Sequence, residues 1–420
     1  MSRKTSQIII ASVIIIVLIA LVAFWFLFLR GSSTNNGSTG SQTSGFSPFG
    51  GSGTKQGTST SNNNGYTGGN PTVITIPALR LLSATPIGGY GASTTASTTL
   101  VRWVDRGRGN TLEAKEDSLV IKTLSNTLVP KIYESTWSTD IGSFIGSVLS
   151  DDNATISTLY ATLQNHATTT SSATPFELHG KNLPATIVSY ASSPKKDKVF
   201  LFSIDNGQGI GYVAPFNGGT ATQIFSTPVT EVNVEWPETN TIAITTKGSA
   251  YDSGFLYFVD PKTGIWKKVL GPLPGLSTKV SHDAKYVLVS ATGNANNVIT
   301  DIYSVASSTG NDAVIRTLAD KCTWGNFYKD TIYCAVPFQP VSGIYPDDWY
   351  KGILSTVDKI WEVNAQTGEV HLISSVFSEA KRSIDAYNLG LDDKDNYLFF
   401  MNKNDLSFWS LDLVTASTTP

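Results

Sequence analysis

Hydrophobic positions along this chain fall into three regimes. From Ile8 to Leu29 they are continuous and free of charge, reading IIIASVIIIVLIALVAFWFLFL. As a helix at about 1.5 Å per residue the run would be roughly 33 Å long, enough to cross a hydrocarbon core of about 30 Å. Trp25 and the neighbouring Phe24, Phe26 and Phe28 sit toward its far end, where aromatic rings suit the membrane interface. Arg3 and Lys4 precede the run and Arg30 alone follows closely, a bias that places residues 1–7 in the cytoplasm and the body of the chain outside. The stretch is too long for a cleavable signal peptide and no A-x-A site follows it. Residues 8–29 are therefore expected to be an uncleaved, single-pass signal anchor in the cytoplasmic membrane, contacting the lipid bilayer.

The second regime, residues 30–71, holds Ser, Thr, Asn, Gly and Gln with almost no aliphatic side chains. Such a tract buries too little apolar surface to offset its ordering entropy and is expected to be a flexible linker. Some 40 residues of this composition would span roughly 35 Å on average. Phe46, Phe49 and Tyr66 within it read as incidental aromatics.

In the third regime, residues 72–420, short runs of Val, Ile, Tyr, Phe and Thr from Leu79 onward are broken by Gly, Pro, Asn and Asp. These are strand and turn signals, and long helical periodicity is absent. The runs repeat. A hairpin with a tight glycine turn recurs at 209–226, 255–271, 301–318 and 359–374, with Gly218–Gly219, Gly264, Gly310 and Gly368 at equivalent positions where positive φ is expected. A second hairpin with a polar turn precedes each or follows the last, at 188–204, 232–246, 278–291, 322–336 and 386–402. Two hairpins make a four-stranded unit with a period of about 45 residues, which predicts a β-propeller blade. Two weaker units fit at 98–125 and 131–180.

Second strands are expected near Val101, Ile145, Phe200, Ile242, Val287, Ile332 and Leu398, giving an all-β, seven-bladed β-propeller, with six or eight blades as alternatives. The last unit runs out at SFWSLDLV (407–414) without a fourth strand, while LRLLSAT (79–85) resembles fourth strands such as 120–127. Leu79–Ser83 is thus expected to complete the last blade and close the ring, removing an open edge.

Only 15% of the 420 residues are charged and the formal net charge is −3. Solvation must then come mainly from neutral polar residues, and nucleic acid, which requires a basic patch, is not an expected partner. Two Cys and four His, widely scattered, make no zinc site of the usual spacings. No cofactor is expected.

The Gly-Gly turn followed by TQIF (Gly218–Phe225) and the hairpin SPKKDKVFLF (Ser193–Phe202) resemble the TolB-like and WD40-like bacterial propeller repeats. With Pro130–Glu134, Trp236–Ile242, Lys321–Pro337 and Tyr345–Tyr350, nearly the whole chain is similar to bacterial proteins built from an N-terminal anchor, a low-complexity tether and such a propeller. That resemblance implies binding outside the cytoplasm rather than catalysis.

Cys322 and Cys334 fall on the two strands of one hairpin, and facing positions on antiparallel strands lie near disulfide distance. A structural disulfide worth about 2–3 kcal/mol is expected, with two buried thiols as the alternative. No C-x-x-C redox pair is present. The most distinctive segment is Pro337–Lys359, a long loop between second and third strands carrying Tyr345, Trp349 and Tyr350 around Asp347 and Asp348. Aromatic rings beside carboxylates suit sugars, cationic peptides or a partner's arginine, making these five residues the candidate binding site. Alternatively, Trp349 and Tyr350 pack the loop onto its own blade.

Asp392, Asp393 and Asp395 occupy a hairpin-turn position and read as turn chemistry rather than a calcium loop. Asp151 and Asp152 begin a connection. His166, His179, His282 and His371 are dispersed, and the threonine-rich stretches Ser93–Thr99 and Thr168–Ser172 read as solvated loops. No G-x-S-x-G, H-E-x-x-H, P-loop or Rossmann fingerprint occurs, so no catalytic residue is assigned and an enzyme is not expected. The leading expectation is a membrane-tethered, extracytoplasmic propeller that binds or scaffolds an envelope protein or glycan. A hydrolase acting on polysaccharide or peptide through two distant carboxylates is the first alternative. An accessory subunit of a pilus or secretion assembly is the second.

Overall fold

A computed structural model of the chain describes residues 76–165, 176–294 and 297–416. The expected anchor at 8–29, the linker at 30–71, His166 and Thr168–Ser172 lie outside the described residues. Within them no helix is long and apolar enough to cross a membrane.

The described chain folds into seven four-stranded antiparallel sheets. Six are built from consecutive strands: blade 1 spans Ile87–Ser125, blade 2 Ile132–Asn182, blade 3 Ile187–Thr227, blade 4 Val232–Pro274, blade 5 Ser277–Asp312 and blade 6 Cys322–Ser374. Blade 7 contributes Ala386–Leu391, Tyr397–Asn402 and Phe408–Asp412, and its fourth strand is Leu79–Ser83 from the other end of the fold. The expected closure is present, with Leu79 opposite Leu411 and Arg80 opposite Ser410. Every second strand lies where the sequence places it.

The second strands explain the stacking. Lys198–Asp205 reads KVFLFSID and is buried on both faces. Val199 and Leu201 enter the cluster shared with blade 2, whereas Phe200 and Phe202 enter the cluster shared with blade 4. Continuous apolar runs follow from this, because each sheet is covered on both sides by neighbours. Seven such clusters occur, one at each junction between blades. Each fully buried Leu, Ile or Phe there contributes about 1.5–3 kcal/mol.

One strand has no conventional strand signal. Ile87–Thr94, the first strand of blade 1, reads IGGYGAST. A Cβ at Gly88 would meet Ile132 Cγ2 at 2.6 Å, and one at Gly91 would overlap Trp137 of blade 2, so this sheet approaches its neighbour only because side chains are missing. Blade 1 therefore begins upstream of the unit expected at 98–125. Gly218, Gly264 and Gly368 have positive φ as anticipated, but in the equivalent turn of blade 5 the positive φ falls on Ser308 (57°) and Gly310 lies in a strand.

Thr95 to Ser97 are exposed as expected, but Thr94 is half-buried and Thr99 buried. Both donate to Asp392 Oδ2, at 3.1 and 3.0 Å, fastening the blade 7 turn to blade 1. Asp392 Oδ1 also accepts from the backbone N–H groups of Asn396 and Tyr397 at 2.7 and 3.0 Å, the turn chemistry expected of it.

Candidate functional site

First strands line the axis of a propeller, and here they line a cavity of about 570 Å³. Six of the seven blades contribute, through residues that include Glu134, Asn233, Glu235, Thr278, Lys279 and Asn388. Arg106, Asp320 and Tyr387 add polar groups from the connections and strand ends. Lys279 Nζ lies 3.6 Å from Glu235 Oε2. Glu134 is open to the cavity yet ringed by protein, and that enclosure raises its carboxyl above the ordinary range. Burial likewise raises Glu235, with Lys279 opposing the shift. Tyr387 is pushed up to about 12 by burial. The cavity thus offers fixed carboxylates, amides, hydroxyls and one ion pair in a partly desolvated setting, suited to holding a polar chain segment.

The loop 338–357, inserted between the second strand (Thr331–Pro337) and third strand (Asp358–Asn364) of blade 6, reaches the axial cavity through Trp349. It contains a single helical turn, Asp347–Tyr350, following a cis peptide at Tyr345–Pro346. Of the five candidate residues, Tyr345 and Trp349 are 3% and 4% exposed and pack with Leu318. Tyr350 is 40% exposed, and its hydroxyl donates to Asp320 Oδ2 at 2.7 Å. Asp347 accepts from Ser249 Oγ at 3.1 Å and from the Ala250 N–H at 2.7 Å, reaching blade 4. Asp348 accepts from the Ile344 N–H at 2.8 Å within the loop. The loop therefore packs partly on its own blade, with Lys321 Nζ 5.3 Å from the Trp349 ring and Lys359 Nζ 4.6 Å from the Phe338 ring, and partly on blade 4 through Asp347. Trp349 alone of the five borders the axial cavity.

Beneath Trp349 lies a cluster with no sequence signal. Lys321 Nζ is fully buried, 2.8 Å from Asp358 Oδ2, paired with Asp385 Oδ1, and 2.7 Å from Thr356 Oγ1. Trp349 Nε1 donates to both Asp385 oxygens at 3.1 Å, and the Thr356 N–H to Asp385 Oδ2 at 3.1 Å. Burial raises Asp358 despite Lys321. Burial also pushes Asp385 upward, but Lys321 and the Thr356 hydrogen bonds outweigh it and hold this carboxyl low. Lys321 is visible in sequence only as the residue before Cys322. Its partners lie 37 and 64 positions further on, at Asp358 and Asp385.

Cys322 and Cys334 are register partners and form a disulfide with Cα atoms 4.1 Å apart. Cys322 borders the axial cavity. A second cavity of about 290 Å³ opens where the first strands end, lined by Glu235, Trp236, Lys279, His282 and Trp324. Burial first, then the positive charges of Lys329, Lys279 and Lys196, push His282 down to about 4, so its ring is neutral near pH 7. Its Nε2 lies 3.3 Å from the Trp324 carbonyl. Among the described residues no cluster of His, Cys, Asp and Glu is arranged to hold a metal.

No protein-family model matches the chain, and no curated protein matches it. Several solved structures are similar in fold. TolB from Acinetobacter baumannii aligns over 74% of this chain and 63% of its own, at 12% identity and a TM-score of 0.40. The β-propeller domain of the Trilobed protease from Pyrococcus furiosus, described as having an open velcro topology, aligns over 76% and 94% at 11% identity and a TM-score of 0.48. An acylaminoacyl peptidase aligns over 77% of this chain but 51% of its own, at 11% identity and a TM-score of 0.46. The chain thus spans less than two thirds of TolB and about half of the peptidase.

Proposed function

We propose that this chain is a binding module of the bacterial cell envelope, anchored in the cytoplasmic membrane by residues 8–29 and carrying its propeller outside on the linker 30–71. It captures an envelope protein or glycan through the axial cavity, and the tether raises the local concentration of whatever is captured. The observation that carries this reading is the polar cavity of about 570 Å³ fed by six blades, with Glu134, Glu235 and Lys279 as fixed charges. The Cys322–Cys334 disulfide suits an oxidising compartment. A net charge of −3 favours no nucleic acid.

The test is capture from solubilised envelopes by the full chain, wild type beside Glu134→Gln/Glu235→Gln. A partner retained by wild type and reduced at least about tenfold by the double substitution is the expected result, since charge pairs at such sites are worth more than about 1.4 kcal/mol. Equal retention would remove the cavity from the function.

The hydrolase reading has one observation of its own. Glu134 and Glu235 share the axial cavity and both are raised by burial, as a general acid requires. Turnover of a polysaccharide or peptide that Glu134→Gln abolishes without weakening binding would establish it.

A further inference from the structure

Lys321 ends the turn Ala319–Lys321 just before the first strand of blade 6, and Asp385 lies just before the first strand of blade 7. Asp358 opens the third strand of blade 6, and Thr356 and Trp349 come from the loop ahead of it. Residues far apart in sequence thus meet in one dry place. Lys321, Asp358 and Asp385 have no solvent exposure, and Thr356 has only 4%. Leu318, Tyr345 and Trp349 pack together beside them, with Lys321 Nζ over the Trp349 ring. None of the three charged groups lines the axial cavity, so no diffusing ligand reaches them. Apolar side chains of similar volume would hold two blades together as well as such an ion cluster does.

The hydrogen bonds are arranged for the movement of protons. Lys321 Nζ donates to Asp358 Oδ2 at 2.8 Å, to Thr356 Oγ1 at 2.7 Å and to Asp385 Oδ1. Thr356 Oγ1 lies 2.8 Å from Asp358 Oδ1 and 2.8 Å from Asp385 Oδ1. A hydroxyl holds one proton and donates to one carboxylate, so the second contact is satisfied only by a carboxyl proton pointing back at Thr356. Burial raises Asp358, which marks it as that carboxyl. Asp385 Oδ2, in contrast, accepts from Trp349 Nε1 and from the Thr356 N–H, each at 3.1 Å. Two fixed N–H donors on one oxygen are what a tetrahedral oxyanion at Asp385 Cγ requires.

We propose that Lys321 and Asp385 close an amide bond in the folded chain, tying blade 6 covalently to blade 7. The ionised cluster described above is the form from which closure starts. The ammonium passes one proton to Asp358, and the Thr356 hydroxyl relays a proton on to Asp385 Oδ1. The freed electron pair of Nζ attacks Cγ, and Trp349 and Thr356 hold the negative charge that develops on Oδ2. Asp358 takes a second proton from the nitrogen and returns it through Thr356 to Oδ1. The Cγ–Oδ1 bond breaks with its electrons on oxygen, which leaves with both protons as water. Asp358 and Thr356 end as they began, and no other molecule is consumed. Groups fixed side by side react at effective concentrations of up to about 10⁵–10⁸ M, which favours a condensation that dilute amines and acids do not undergo. The link joins residues 64 positions apart and, unlike the Cys322–Cys334 disulfide beside it, survives reduction.

The test is mass spectrometry of the full chain, purified folded in detergent, then denatured and reduced. Its mass is expected to fall short of the sequence mass by one water, and digestion should yield one branched peptide joining Lys321 to Asp385. Asp358→Asn keeps the shape of the acid but accepts no proton. It should slow closure by about 10²–10⁴-fold, the usual worth of a positioned acid–base group, and so retain the full mass. Circular dichroism matching wild type will show that this variant folds. Lys321 and Asp385 recovered in separate peptides from folded wild type overturn the bond, as does a missing water traced to an aspartyl succinimide or to any other pair. A joined peptide formed as completely by folded Asp358→Asn overturns the proton relay. Should that variant unfold, the branched peptide of wild type decides alone. Neither result bears on capture by the axial cavity.

Discussion

Lys321 is an ammonium without access to water, held between Asp358 and Asp385. Such a group is tolerated only because its partners are complete: two carboxylates and the Thr356 hydroxyl meet the three donors of the ammonium. Lys321→Met strands two buried carboxylates and is expected to cost about 3–5 kcal/mol, read as a lowered urea midpoint. It should also release Trp349, whose fluorescence then shifts red. A second buried carboxyl, Glu116, is raised to about 7, chiefly by burial, with Arg80 and Ser410 opposing. Its folded pKa exceeds the unfolded one, so the folded state holds an extra proton between about pH 4.5 and 7 and stability falls as pH rises through that window. The stability of Glu116→Gln relative to wild type should therefore improve by about 3 kcal/mol between pH 4 and pH 8. A constant difference across those two pH values would mean that Glu116 titrates like an exposed carboxylate. Neither cluster is legible in sequence, because a lysine, a glutamate and two aspartates at long separations carry no pattern until the blades are stacked.

Strands were far more legible than loops. Runs such as KVFLF and YLFFM announce second strands because both of their faces meet a neighbouring sheet, and that demand is written directly into composition. The first strand of blade 1 was hidden, because close approach of Ile132 and Trp137 replaces its side chains with glycine. The loop 338–357 stood out by length and by its aromatic and acidic residues. Its sequence did not say that Asp347 would be spent on the Ser249–Ala250 backbone and hydroxyl, or that Tyr345 and Trp349 would face inward. The disulfide is the clearest local inference: facing cysteines on paired strands, in register as the hairpin required. Breaking it by Cys322→Ser/Cys334→Ser should cost about 2–3 kcal/mol, measured by urea denaturation of the two proteins side by side.

At the scale of the whole molecule, stability is distributed over seven junctions of similar kind, and the ring holds only if the last junction is made. Leu82, buried among Val101, Trp103, Phe399 and Phe408, is the apolar peg of the closing strand. Leu82→Ala is expected to cost about 2–5 kcal/mol, the range for a buried leucine. If blade 7 opens with it, tryptic cleavage should appear first around residues 397–412.

Closure also fixes an order in time. Leu79 emerges from the ribosome early and finds its partner, Leu411, only after all seven blades have been made. Synthesis proceeds at about 5–20 residues per second, so the strand waits on the order of tens of seconds with its hydrogen-bonding edge unpaired. Throughout that interval blade 1 lacks the neighbour that covers Trp103 and Val101. Newly made chains are therefore the form most exposed to edge pairing between copies, and a holding chaperone would act on the early strand rather than on the finished wheel. A permuted gene that starts at Ile87 and places Leu79–Ser83 after Asp412 would make the closing pair a neighbouring hairpin, leaving nothing to wait for.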